Sequence, residues 1–313
     1  MDKTFKTYDE LLCLLESRNI SFQNDDDKLR ATEILKQVGY YNLINGYKDI
    51  FLSIDSDGTE VFKTGTTIDE IYALYEFDRE LRDIFFKRIV VVETHIKSLI
   101  SYEFSKEYGH DNYLVYNNFD TERRDATKNI SALIAKLYSE ISNKSNDPSI
   151  LHYLNNYGYI PLWVLNNILT LGTVSKFYSL MKQTNKQAIS SEFNILDKQL
   201  ESMLKYLSAI RNFCAHGNRL YCYRNKSSLV DTDIHKKLNV CKENSDEYLY
   251  GKRDLFACVI ALKYLMDKND FQSFIQEIED NIEATNRRMK ILTSNDLFHS
   301  MGFPDNWSDI ADY

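Results

Sequence analysis

Three residues in one helical segment have types suited to phosphodiester chemistry: Arg211, Asn212 and His216. A histidine with an ordinary pKa of about 6.5 moves protons at neutral pH. An arginine holds a phosphate oxygen through two hydrogen bonds and stabilises the charge that builds in the transition state. Asn212, one turn before His216, is placed to orient the imidazole or to contact a ribose. An RNA substrate brings its own nucleophile, the 2′-hydroxyl, so the expected chemistry needs no metal, no cofactor and no covalent enzyme intermediate. Spacing decides how much this pattern means. A loose Arg-to-His separation of this size is expected roughly 0.7 times by chance in this composition, and Arg88 with His95 also matches it. The strict Arg-Asn-x-x-x-His pattern is expected about 0.02 times and occurs once.

The charge around the motif points the same way. From Ser202 to Val230 there is no Asp or Glu, while Lys205, Arg211, Arg219, Arg224 and Lys226 contribute five positive charges. The whole chain is acidic, with 38 Lys and Arg against 46 Asp and Glu, a net charge of −8. That balance argues against indiscriminate binding of nucleic acid and makes the local island the informative feature. A solvated basic helix is the plainer explanation of such a run. At 100° per residue, Met203, Leu207, Ile210 and Cys214 share an apolar face, so Cys214 reads as packing. Lys205, Ser208, Asn212 and His216 form a polar stripe. Gly217 is placed to end the helix, which makes Arg219 the least secure member of that stripe. Alternatives stay open for each residue: His216 as a helix C-terminal cap, Arg211 as an ion-pair partner of Glu93 or Asp78, Asn212 as a helix-locking group. Tyr221 is the one aromatic assigned to RNA. Arg88 and His95 read as a salt-bridged helix surface or interhelical contact.

The elements that must position these residues are helical. Ten Gly and 3 Pro in 313 residues are too few for a fold of many tight turns. Apolar spacing predicts helices over residues 8–18, from a cap at Asn24 to Gly39, from 67 to about 108, and over 121–143, 147–157, 173–182, 185–194, 196–216 and 251–290, the last broken near Asn269. Thr67 and Glu70 make a capping box, and Pro148 fits a first helical turn. Residues 50–62, with Asp57-Gly58 between short apolar runs, predict a small hairpin. The expected organisation is an N-terminal helical extension (1–66), a helical domain (67–290) and a C-terminal tail (291–313). No apolar run approaches the roughly 18 residues of a membrane span, and the start has no signal-peptide pattern. Five cysteines without a CxxC pair argue against disulfides or zinc and fit a cytoplasmic protein.

On a helix, Arg-Asn-x-x-x-His resembles the HEPN ribonuclease motif of many toxins and of RNA-guided type VI CRISPR nucleases. The chain as a whole is similar to the Abi-like abortive-infection proteins of bacteria, the AbiD/AbiF group. Five stretches carry the resemblance: Gly39-Tyr40-Tyr41-Asn42-Leu43 through Gly46-Tyr47; Tyr75 to Arg82; Pro161 to Leu165 with Leu171 to Ser175; Arg211 to Tyr221; and Met301 to Trp307. Family members often carry a second histidine after the first, where this chain has Gly217. The resemblance implies an all-α HEPN-like bundle and a metal-independent endoribonuclease toxin of a phage-defence system. It implies Arg211, Asn212 and His216 as catalytic residues, with Lys205, Arg219, Tyr221, Arg224 and Lys226 on the RNA and Glu93 supporting Arg211. It further implies a homodimer that faces two motifs across one groove, and leaves open an autonomous toxin or one restrained by a cognate small non-coding RNA or protein antitoxin. Two other classes remain: a catalytically silent module that binds RNA, including a non-coding RNA, and a protein-interaction module.

Overall fold

The computed structural model describes residues 4–55, 58–243 and 246–313. Its backbone is all-α apart from one hairpin. The helices are α1 (Tyr8–Ser17), α2 (Asp25–Val38), α3 (Ile68–Tyr108), α4 (Ala126–Asn143), α5 (Pro148–Tyr157), α6 (Leu162–Ile168), α7 (Leu171–Leu180), α8 (Gln183–Ser191), α9 (Asp197–Ala215), α10 (Asp233–Lys237), α11 (Leu255–Leu265), α12 (Lys268–Asn286) and α13 (Ser294–Met301). A π-helical turn, Tyr41–Asn45, follows α2. Strands β1 (Leu52–Ile54) and β2 (Glu60–Phe62) pair antiparallel, with Leu52 opposite Phe62. Asp57 of the expected turn lies outside the described residues.

α3 is the organising element. Ile68, Ile71, Leu74, Phe77, Leu81, Phe85, Ile89, Val92, Ile96, Ile100 and Phe104 recur at steps of three or four, and all are buried. That is the 3.6-residue period held along a helix about 60 Å long. α6, α9 and α12 pack against it, and α9 also packs against α7, α8 and α11. α11 is buried on every side from Leu255 to Leu262, as an internal helix must be. One continuous apolar cluster runs from Leu12 to Ile310. Among the described residues no helix is long and apolar enough to cross a membrane.

Local signals set most boundaries. Asn24 accepts from the Asp27 N–H at the start of α2, and Pro148 is the first residue of α5. Thr67 accepts from the Glu70 N–H, but the expected reciprocal bond is not made. Glu70 is buried and its carboxylate accepts instead from the backbone N–H groups of Lys290 and Ile291. Gly172 sits inside α7, two residues after the Thr170 cap. A Cβ there would lie 3.1 Å from the Ser208 hydroxyl, so glycine lets α7 approach α9 closely. The break in the last long segment falls at Met266, because Asp267 caps α12 by accepting from the Asn269 N–H. The short helices α6, α10 and α13 were not expected; none is longer than the 8 residues of α13, too few for a periodic pattern to stand out.

Candidate functional site

α9 ends where its sequence says it should. Gly217 adopts φ +67°, the left-handed conformation that glycine reaches without a Cβ penalty. Its N–H donates to the Cys214 carbonyl and the Asn218 N–H to the Phe213 carbonyl, which satisfies two of the last open acceptors of the helix. His216 is therefore the capping residue, and its own N–H donates to the Asn212 carbonyl at 3.1 Å. Asn212 and His216 are both exposed. Cys214, on the opposite face, is buried, and burial pushes its thiol up to about 12. It is a packing group.

Arg211 is half-buried between α9 and α3. Its Nε lies 3.5 Å from Glu93 Oε2, and its guanidinium carbon lies 5.5 Å from the centre of the Phe86 ring. The other Glu93 oxygen takes Lys97 Nζ at 2.7 Å. Glu93 thus stands between two cations and holds Arg211 by charge; neither Nε nor either Nη of Arg211 makes a hydrogen bond among the described residues. Asp78, the other expected partner, is engaged elsewhere.

Asp78 is fully buried on α3 and takes four donors. Its Oδ1 accepts from the backbone N–H groups of Leu220 at 2.8 Å and Tyr221 at 2.7 Å. Its Oδ2 accepts from the Tyr47 hydroxyl at 2.8 Å and from Arg82 one turn along. Arg82 also donates to the Asn218 carbonyl at 3.2 Å. Burial raises the pKa of this carboxyl, while Arg82, the two backbone amides and Tyr47 act against it. The same burial raises the Tyr47 hydroxyl above its ordinary value, with Asp78 adding to the effect. One side chain therefore ties the loop after His216 and the N-terminal segment to the central helix. Sequence reading did not assign this role; the signal was Asp78 and Arg82 four apart on the helix face that packs inward.

The remaining expected RNA contacts separate. Arg219 leaves the helical stripe and donates to the Gly46 carbonyl, with Asp49 4.0 Å away. It lines, with His216, a cleft of about 670 Å³ between the end of α9 and residues 37–47. Tyr221, the aromatic expected on RNA, is buried. It is 3% exposed and stacks on Tyr47, centroids 5.8 Å apart, because its backbone is drawn inward by Asp78. Lys205 is exposed in a different groove, with Arg123, Lys186 and Lys198. Arg224 donates to the carbonyls of Tyr223 and Ser300 near the end of α13, and Lys226 is exposed on the loop beyond. The five cations of the acid-free stretch thus do not form one patch; His216 and Arg219 are the pair that share a cleft. Arg88 is buried in an interhelical ion pair with Glu277 at 2.8 Å, while His95 lies against Phe193. Arg88 thus makes the expected interhelical contact, and His95 is exposed on the same helix. Among the described residues no group of three His, Cys, Asp or Glu side chains could hold a metal ion.

Among curated proteins and solved structures, none matches this chain significantly. The protein-family comparison is positive, and its span coincides with the assembly just described: the model for "Abi-like protein" matches residues 33–222, more than half of the chain, from α2 through Tyr47, Asp78, Arg211 and His216 to just past Tyr221, and the chain belongs to that family.

Proposed function

We propose that this Abi-like protein is a metal-independent endoribonuclease of a bacterial abortive-infection system. Family membership suggests the abortive-infection role; the ribonuclease chemistry is our reading of the site. The observation that carries it is the end of α9, where exposed Asn212 and His216 adjoin Arg211, a guanidinium held on one edge by Glu93 with its Nη donors free of internal hydrogen bonds among the described residues. In this reading His216 takes the proton of an RNA 2′-hydroxyl as that oxygen attacks the adjacent phosphorus. Arg211 stabilises the charge on the non-bridging oxygens, and Asn212 orients the imidazole or the ribose. The P–O5′ bond breaks, leaving a 2′,3′-cyclic phosphate on one product and, after protonation, a 5′-hydroxyl on the other.

The leaving 5′-oxygen needs a proton donor on the side of phosphorus opposite the base. One His216 does not reach both positions easily, so the proposal includes an isologous homodimer in which His216 of a second copy supplies it. A cognate small RNA or a protein antitoxin would restrain the active dimer by covering the same groove. A second reading has its own support: Arg211 also lies over the Phe86 ring, a position that suits a packing role, and a catalytically silent RNA-binding module would need no more.

Incubation of labelled RNA with wild type and with His216→Ala separates the readings. Cleavage by wild type, with loss of cutting and retained binding in the variant, supports the enzyme. Equal binding by both without cutting supports the module. Absence of both binding and cutting removes RNA from the account.

A further inference from the structure

The cleft beside His216 has a composition unlike the rest of this acidic chain. No Asp or Glu lines it among the described residues. Its outer wall is built by the N-terminal segment: Gly39 ends α2 at φ +84°, and the chain re-enters as the π-turn 41–45, with Leu43 and Ile44 buried as anchors. Such turns recur at functional sites. The turn leaves Tyr41 with 74% of its surface exposed on the cleft side. Asn42, Asn45 and Gln37 are exposed around it, and Asn218 faces them from the loop after the motif. The side chains of Gln37, Asn45 and Asn218 make no hydrogen bond within the described residues, and Asn42 donates only to the Val38 carbonyl, at 3.1 Å.

We infer that this cleft is a nucleobase subsite, which holds one unpaired base of the RNA against Tyr41 while carboxamides read its edge. The inference rests on the ribonuclease reading of His216 and deepens it by naming what selects the nucleotide next to the cut. A carboxamide carries both a donor pair and an acceptor, which matches the mixed edge of a base rather than the acceptor-only surface of a phosphate. An exposed tyrosine ring offers a stacking face that is tolerant of base identity. The absence of carboxylates spares the adjoining phosphate from repulsion, and Arg219 at the rim supplies a cation. The volume falls within the roughly 300–1,000 Å³ of small-molecule sites. The two walls keep their spacing because Tyr47, from the outer one, and the Leu220 and Tyr221 amides, from the inner one, bind the same Asp78 carboxylate. The base is thereby placed beside His216 by the fold.

Two measurements test this. In a cleavage-dead His216→Ala background, fluorescence anisotropy of a labelled single-stranded RNA should show Tyr41→Ala binding about tenfold or more weaker, the scale of one base–aromatic stack. Tyr41→Phe should bind like the parent, as should Tyr102→Ala, which removes another exposed tyrosine outside the cleft. In the cleavage-competent protein, Asn45→Ala should broaden the nucleotide preference at the cut, while Tyr41→Ala should slow cutting beside every base alike. An RNA with an abasic residue at that position should no longer distinguish wild type from the Tyr41→Ala variant. If wild type cuts RNA but these variants bind and cut as it does, the subsite is overturned and the ribonuclease reading stands. If wild type neither binds nor cuts RNA, both fall.

Discussion

Glu93 on α3 and Arg211 on α9 form an ion pair, Oε2 to Nε 3.5 Å, with the carboxylate buried and the guanidinium side chain still 28% exposed. The geometry restricts Arg211 without consuming it. A guanidinium presents donors on two edges, and Glu93 lies beside the Nε edge as an ion-pair partner without a hydrogen bond. If Arg211 serves the transition state through its other edge, charge alone will not substitute for it. Arg211→Lys should then lose roughly 2–4 kcal/mol of transition-state stabilisation, on the order of a hundredfold or more in rate. Single-turnover cleavage measures this, and a fully active lysine variant would show that only charge matters. Glu93→Gln should slow cleavage on the order of tenfold through misplacement of Arg211, with RNA affinity little changed.

Asp78 offers a test of stability rather than chemistry. Asp78→Ala leaves Arg82 without its buried counter-charge and orphans the Leu220 and Tyr221 amides. Breaking a buried pair of this kind costs about 3–5 kcal/mol. Tyr47→Phe removes one hydrogen bond to the same carboxylate and should cost about 1 kcal/mol. Urea unfolding of both variants checks the ranking. Equal, small losses would show that the loop after His216 is held by packing alone.

The metal-independent course predicts cleavage that persists in excess EDTA. The acid-free 202–230 stretch and the carboxylate-free cleft supply no ligands for the paired ions of a two-metal nuclease. Abolition by EDTA, with rescue by magnesium but not by a polyamine, would sink the proposed mechanism.

His235 predicts a pH dependence of stability. It is buried; its Nδ1 accepts from the Thr232 N–H at 3.2 Å and its Nε2 donates to the Gly251 carbonyl at 3.0 Å. Burial pushes its pKa below the ordinary 6.5, and the nearby Lys252 adds to that. The unfolded chain therefore binds this proton at a higher pH than the folded one. Stability from the neutral imidazole is complete above about pH 6.5 and is lost as pH falls toward the folded value, at up to about 1.4 kcal/mol per pH unit. His235→Gln should flatten that part of the stability profile. A slope unchanged between pH 7 and 5 would place the proton elsewhere.

The composite site predicts dependence on a second copy. His216→Ala chains mixed with wild type should reduce activity in proportion to heterodimer formation, followed by light scattering and cleavage of labelled RNA. A monomer that still cuts would remove the second His216 from the mechanism.

What the sequence by itself determined is short-range. The 3.6-residue period over Ile68 to Phe104, the caps at Asn24 and Thr67, Pro148 at a helix start and Gly217 past a helix end are each written within a few residues, because helix geometry and capping are satisfied locally. The Arg-Asn-x-x-x-His pattern and its position at the end of α9 were legible for the same reason. Partner choice was not. Asp78 could have met Arg211; it meets Arg82 and the amides of Leu220 and Tyr221, 142 and 143 residues on, and this draws Tyr221 inward from its expected place on RNA. Glu70 leaves its own cap to hold Lys290 and Ile291. Tyr41 and Asn45 lie beside His216 because Tyr47 docks on Asp78. A buried carboxylate must gather every donor within reach, and only the packing of α9 and the N-terminal turn onto α3 decides which donors those are.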